Sequence, residues 1–329
     1  MDEPRPATIR NPSRAHDLHL PVNARPLRIS KGMTVEDAFR VTLLECLAHV
    51  AANVASVTRA REIEGLHQLR VGLRRLAVAF SAFGDEFRTP AQRDLQVRTK
   101  AFSDAIAPAR DLDVFADDLL PPVIGGTGDE SAFVLLRDRL DRAREDAWNR
   151  AVESVSSVEF AVLLDDVAVA AQSRAWTSGD DLKNRIAVRA PVKSVAARLL
   201  DEYLIKARKR GRHIRELEQR DCHRLRISLK KLRYAAEFYG PLFKKKKVKK
   251  YVKRVKALQD LLGALNDAAQ VRATLSQLTS GDMPSPSVQA DLCFASGLIN
   301  GWHCARAMRL GNSAIKDWDK FKRAQPFWA

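Results

Sequence analysis

When the chain is slid over itself by 156 positions, two stretches align without a gap: LHQLRVGLRRLAVAFSAFGDEF, residues 66–87, and CHRLRISLKKLRYAAEFYGPLF, residues 222–243. His67 falls on His223, Leu69 on Leu225, Arg70 on Arg226, Leu73 on Leu229, Leu76 on Leu232, Phe83 on Tyr239, Gly84 on Gly240 and Phe87 on Phe243. Arg74 and Arg75 fall on Lys230 and Lys231. The same offset continues downstream, where Lys100 meets Lys256, Asp104 meets Asp260 and Asp111 meets Asp267, and upstream, where Leu43 and Leu44 meet Leu199 and Leu200. A constant offset held over about eighty residues implies two structurally equivalent halves related by a pseudo-two-fold.

Both halves read as successive helices. Apolar residues recur at spacings of three and four, no alternating strand pattern is evident, and glycine and proline are confined to a few breaks. Helices are expected near 34–59, 65–83, 91–107, 111–120, 130–153 and 157–175, then near 190–219, 222–239, 245–265, 267–279, 286–309 and 312–323. Turns are expected at EFRTP, at PPVIGGTGD, around Trp176–Asp181 and at GPLF, SGDMPSPS and LGNS. Long antiparallel amphipathic helices pack as bundles. The expected fold is all-α, two four-helix bundles spanning 31–180 and 181–323, behind a flexible leader at 1–30 that is rich in Arg and Pro.

Each copy of the repeated helix carries two stripes. With about 100° per residue, Leu66, Leu69, Leu73, Leu76 and Phe80 form an apolar line, and His67, Arg70 and Arg74 form a second line beside it. The later copy sets Leu225, Leu229, Leu232 and Ala236 against His223, Arg226, Lys230 and Arg233. The following helix aligns Lys249, Lys253 and Lys256, with Arg93 and Lys100 in the corresponding places of the first half. An apolar stripe anchors a helix, so a basic stripe beside it lines a rim or groove. Arg offers paired planar donors to phosphate oxygens and Lys a movable point charge. His adds a charge near neutral pH, and residues one turn apart suit a ligand with closely repeated negative charges. A single basic helix face is ordinary solvated surface; the recurrence of the same His, Arg and Lys positions is what points to binding.

The charge distribution agrees. The formal net charge is +16, and residues 1–180 hold 23 Lys+Arg against 27 Asp+Glu, whereas 181–329 hold 33 against 13. Basicity concentrated in one half predicts a polyanionic partner: nucleic acid, an anionic membrane or polyphosphate. The run KKKKVKK at 244–250 is either a nonspecific electrostatic handle or one mouth of a groove, and its continuity with the lysine line favours the groove. Asp104 and Asp260 are expected to orient neighbouring cations. Asp111 and Asp113 are read as capping or pairing with Arg110 rather than as a metal site. No metal, cofactor or catalytic residue is expected, because neither a carboxylate set on the basic stripes nor a GxxxxGK[ST] loop is present. No apolar run approaches the ~20 residues of a membrane span. The four cysteines show no paired spacing and read as free thiols in a reducing cytosol.

The pattern H-x-L-R-V-x-L-R-R-L at His67–Leu76, with A-F-S-D-A-I-A-P-A-R-D-L-D-V-F at 101–115, resembles the CHAD family, the conserved-histidine α-helical domain. H-R-L-R-I-S-L-K-K-L-R-Y at His223–Tyr234, with L-Q-D-L-L-G-A-L-N-D at 258–267, resembles its second repeat. The resemblance runs from about residue 31 to about 323. It implies non-catalytic binding of inorganic polyphosphate in a basic groove or pore, and association with polyphosphate granules in the bacterial cytoplasm. Carried over by position, the binding residues are His67, Arg70, Arg74, Arg75, His223, Arg226, Lys230, Lys231 and Arg233, with Lys100 and Lys256 from the next helix. Ala77 stands where the second copy has Arg233, Pro108 where it has Ala264, and Asn266 replaces the arginine seen at Arg110. The first half is therefore expected to bind more weakly. The E-x-E-x-K strand of the triphosphatase domain often fused to this family has its nearest match at Glu62–Leu66, which lacks the lysine. The competing readings are a phosphoanhydride hydrolase and a nonspecific nucleic-acid-binding protein.

Overall fold

In a computed structural model of the chain, residues 19–329 are described, apart from 85, 86, 88, 128–132, 175, 177–181, 217 and 281–284 and the side chains of 182–184. Among the described residues the fold is all-helical, with no β-strand. The helices are α1 (Val35–Thr58), α2 (Ile63–Ala82), α3 (Pro90–Ala105), α4 (Ala107–Val114), α5 (Pro121–Thr127), α6 (Val134–Ser156), α7 (Val158–Ser173), α8 (Leu182–Arg189), α9 (Val192–Arg210), α10 (Gln219–Tyr239), α11 (Lys245–Leu278) and α12 (Pro286–Lys322). Their starts follow local chemistry. Thr34, Thr89, Ser157 and Ser285 each accept a hydrogen bond from a backbone N–H of the following turn, which satisfies donors that a helix start leaves open. Gly84, at φ 111°, takes the left-handed conformation that ends the α2 segment.

Three helix starts recur at the sequence offset or within one residue of it. Ile63 begins α2 and Gln219 begins α10; Val35 and Val192 begin α1 and α9; Pro90 and Lys245 begin α3 and α11. The equivalent segments also touch one another. The Val35 N–H donates to the Ala190 carbonyl and the Val192 N–H to the Met33 carbonyl, both at 2.9 Å. The rings of Phe83 and Tyr239, which occupy equivalent positions, lie 5.2 Å apart. The Tyr239 hydroxyl donates to the Ala82 carbonyl at 2.6 Å.

Two buried cores result, and each draws on both sequence halves. One gathers Phe39, Phe80, Phe83 and Trp176 with Leu225, Leu229, Leu232, Tyr239 and Leu258. The other joins Leu66, Leu69, Leu73, Phe115, Phe133 and Leu136 to Val271, Leu275, Leu292 and Ile299. The apolar stripe of α2 thus divides between them, Leu66–Leu73 in one and Leu76–Phe80 in the other. The C-terminal aromatics dock on the protein's own body: Tyr251 meets Phe321, Phe327 and Trp328, and the Trp328 indole donates to Asp201 at 2.8 Å.

Several expectations are corrected here. The PPVIGG segment, expected as a turn, begins helix α5, and Leu182–Arg189 adds α8. α11 and α12 run through the expected breaks after 265 and at LGNS. At the first of these, Pro108 separates α3 from α4 because it lacks an N–H and crowds the carbonyl four residues back. Ala264 at the equivalent place imposes no break. At the second, Gly311 is buried within α12, where a single glycine costs only about 1 kcal/mol. Of the expected leader, residues 1–18 lie outside the described residues. From Val22 the backbone is held, exchanging 2.9 Å hydrogen bonds with the Asn53 side chain, and Leu27 and Ile29 are buried. α1 is long and apolar enough to cross a membrane by composition; here it packs on α2 and α7 and buries Glu36, Thr42, His49 and Asn53.

Ala264→Pro should interrupt α11 as Pro108 interrupts the first half. An interior proline costs about 3 kcal/mol, so the urea midpoint should fall markedly; an unchanged midpoint would refute this account of the α3–α4 break.

Candidate anion-binding cavity

The basic stripes of α2 and α10 meet across a cavity of about 560 Å³. α2 contributes His67, Arg70 and Arg74, and α10 contributes His223, Arg226, Lys230, Lys231 and Tyr234. Lys100, Ser103 and Asp104 enter from α3, Arg110 and Asp111 from α4, and Asn266, Asp267 and Gln270 from α11. Seven Lys and Arg side chains therefore face three Asp. The apolar stripes put these residues there: Leu69 and Leu73 on one helix, and Leu225 and Leu229 on the other, are buried, so the adjoining line of each helix is turned to the opening.

The two halves are neutralised unequally. Arg70 is paired with Asp111 at 2.6 Å, and Lys100 with Asp104 at 2.9 Å. Arg74, Arg226 and Lys230 make no hydrogen bond or ion pair among the described residues. The Nε atoms of Arg70 and Arg226, at equivalent positions, are both buried without an acceptor. His223 Nδ1 lies 3.0 Å from the Asn266 amide oxygen; at the equivalent place His67 is beside the Arg110 cation. Burial first, then Arg110, holds the His67 pKa below its ordinary value.

Crowding of like charges is strongest at the centre. Burial, and then the repulsion of Arg226, Arg74, Arg70 and Arg233, depress the Lys230 ammonium to a pKa of about 7. Arg74 is lowered to about 10, by burial and then by Arg70. Arg226 is also lowered, mainly by burial, with Asp267 opposing. Burial in turn raises the Asp267 carboxyl. Cations taken from water without a counter-charge are costly, and a bound anion relieves both desolvation and mutual repulsion.

The remaining residues singled out from sequence lie elsewhere. Arg75 is buried at the α2–α10 contact, 3.2 Å from Glu237 and over the Phe238 ring at 5.5 Å. Arg233 donates to Gln259 at 3.0 Å and to the same Glu237 at 2.7 Å. Neither reaches the cavity, because Glu237 holds both guanidinium groups at the interface between the helices. Arg93, Lys249, Lys253 and Lys256 are exposed and lie outside the cavity lining. Steps of three and four residues place the three lysines on the same α11 face as Asp267, so their line runs outward from the cavity. Asp113 is fully buried; it accepts from Arg144 at 3.0 Å and from the Trp148 indole at 3.2 Å. The expected pairing with Arg110 is thus replaced by Asp111–Arg70 and Asp113–Arg144. Arg110, Asn266, Asp267 and Gln270 were not among the binding candidates; the 111/267 aspartates, kept at the repeat offset, were the signal for that layer.

The fold and the cavity together define an all-helical domain with a part-buried cation cluster where two helices of like sequence meet. The chain belongs to the CHAD domain family, whose model matches residues 42–276. A crystal structure of the CHAD domain from the plant Ricinus communis is similar at 24% identity and a TM-score of 0.77, over 93% of this chain and 98% of that one. PptA from Streptomyces chartreusis is similar at 16% identity and a TM-score of 0.61, over 87% and 100%. No curated protein matches.

Lys230 predicts a pH dependence with a definite sign. Its pKa of about 7 in the folded chain lies below the unfolded value of about 10. Between these values the unfolded chain binds more protons, so the stability of the free protein rises with pH across that window. Lys230→Met should flatten the rise in urea midpoints measured from pH 6 to pH 9; an unaltered profile would show that Lys230 is not the depressed group.

Proposed function

We propose that the protein binds inorganic polyphosphate without hydrolysing it, through the cavity between α2 and α10. One observation carries the reading: Arg74, Arg226 and Lys230 are crowded, largely desolvated and without a direct ion pair among the described residues, a state that a chain of phosphates stabilises. The CHAD family's link to polyphosphate supports the choice of anion. The lysine face of α11 extends the surface. Lys244–Lys247 stand at the N-terminus of that helix, where the helix dipole disfavours cations, and a polyanion along the face offsets the repulsion.

The non-catalytic part of the proposal rests on the engagement of two of the cavity's three acids. Asp111 is tied to Arg70 and Asp104 to Lys100, an arrangement that orients cations. The matched helix starts and the contacts between equivalent residues support a tandem repeat of two four-helix bundles, with the shared cavity near its pseudo-two-fold. In the cell, such a protein would sit in the cytoplasm on polyphosphate granules.

Calorimetry with long-chain polyphosphate, beside duplex DNA at equal phosphate, tests the reading. Polyphosphate should bind more tightly than DNA, with affinity falling steeply with salt. Arg226→Ala should weaken binding about ten- to hundredfold, the loss of charge-assisted hydrogen bonds worth about 1.5–3 kcal/mol. Substituting Lys253 should mainly reduce the salt slope by about one. Indifference to polyphosphate at moderate salt overturns the proposal, and Mg²⁺-dependent phosphate release overturns its non-catalytic part.

Anion binding should also take up a proton. Because Lys230 titrates near pH 7 when free, a bound anion raises its pKa, and affinity should decline from pH 7 to pH 9. Binding heats in buffers of different ionisation enthalpy would reveal the uptake; equal heats in all buffers would count against it.

A further inference from the structure

A second basic cavity, of about 410 Å³, opens on the other side of Lys231 and Ile227, and both residues line both cavities. Lys206 and Arg210 of α9 and Arg224 of α10 enter it, with Ser81, Ser228 and Tyr203 as hydroxyl-bearing walls. Its lining contains no carboxylate. Lys206 lies 5.7 Å over the Tyr203 ring, and Arg224 reaches Asp221 only at 3.7 Å. Arg210 has no ion pair among the described residues.

The repeat shows that these cations are not required by the fold. With α1 and α9 starting at Val35 and Val192, Lys206 and Arg210 stand where α1 has His49 and Asn53, and Arg224 and Ser228 correspond to Gln68 and Gly72. There the space is closed: His49 and Asn53 are buried, His49 Nε2 lies 3.2 Å from the Gln68 amide oxygen, and a Cβ on Gly72 would come within 3.3 Å of the His49 ring. One half fills this corner with His49, Gln68 and Asn53 against glycine; the other opens it and lines it with positive charge. An opened corner lined by cations, next to a cation-filled cavity, suits an anion long enough to lie in both.

We propose that this cavity is a second phosphate subsite, through which a condensed phosphate chain held between α2 and α10 continues over the Lys231–Ile227 lip toward α9. The inference rests on the polyphosphate reading and adds a chain-length dependence to it. A short polyphosphate is held by the first cavity alone. A long one engages both.

The test uses the full chain and two probes, tripolyphosphate and long-chain polyphosphate, measured by calorimetry on wild type and on Lys206→Gln/Arg210→Gln. The double variant should bind tripolyphosphate as wild type does and should lose about tenfold or more in affinity for the long chain, the scale of losing one or two phosphate contacts. Ser228→Asp, which sets a negative charge in the second cavity, should reproduce that selective loss, and it serves if the double variant fails to fold by circular dichroism. An equal loss for both probes, or no loss for either, overturns the subsite while leaving the main cavity standing. Failure of the wild type to bind either probe overturns the polyphosphate reading, and the subsite with it.

Discussion

The structure depends on how α2 and α10 cross. Their apolar stripes anchor each helix in the cores, and the Phe83–Tyr239 contact with the Tyr239–Ala82 hydrogen bond fixes where they meet. The price is a concentration of like charge, because the same register brings Arg74, Arg226 and Lys230 together. A hydrophobic anchor thus holds repelling cations in place, and the proposed anion site rests on that repulsion.

Carboxylates decide which cations are free. Glu237 binds both Arg75 and Arg233 and keeps two guanidinium groups out of the cavity. Asp111 partly neutralises Arg70, whereas Arg226 has Asp267 nearby without a direct pair. The second half therefore presents less-compensated charge, in line with its excess of Lys and Arg. The further differences at Lys206, Arg210 and Arg224 enlarge the same asymmetry, so one repeat keeps a packed corner while the other opens.

Much of the candidate site was legible in the sequence. Two stripes per helix, repeated at one offset, identify His67, Arg70, Arg74, His223, Arg226 and Lys230, because side-chain direction on a helix follows from residue spacing alone. Arg75 and Arg233 stand outside the cavity for a definite reason. On a helical wheel they lie close to the binding line, and the Arg75–Glu237 pair joins positions 162 residues apart. The lysines of α11 lie on the expected face but beyond the cavity, because α11 continues as one helix past Ala264 instead of folding back.

By itself the sequence determined the helical repeat, the apolar lines that anchor it and the identity of the cations beside them, since each depends on local periodicity and composition. Only the tertiary structure decided which of those cations share one cavity, which are held by distant acids, and where a packed corner in one half becomes an opening in the other. Desolvation and pairing are properties of what surrounds a side chain, and those surroundings come from helices far apart in the chain.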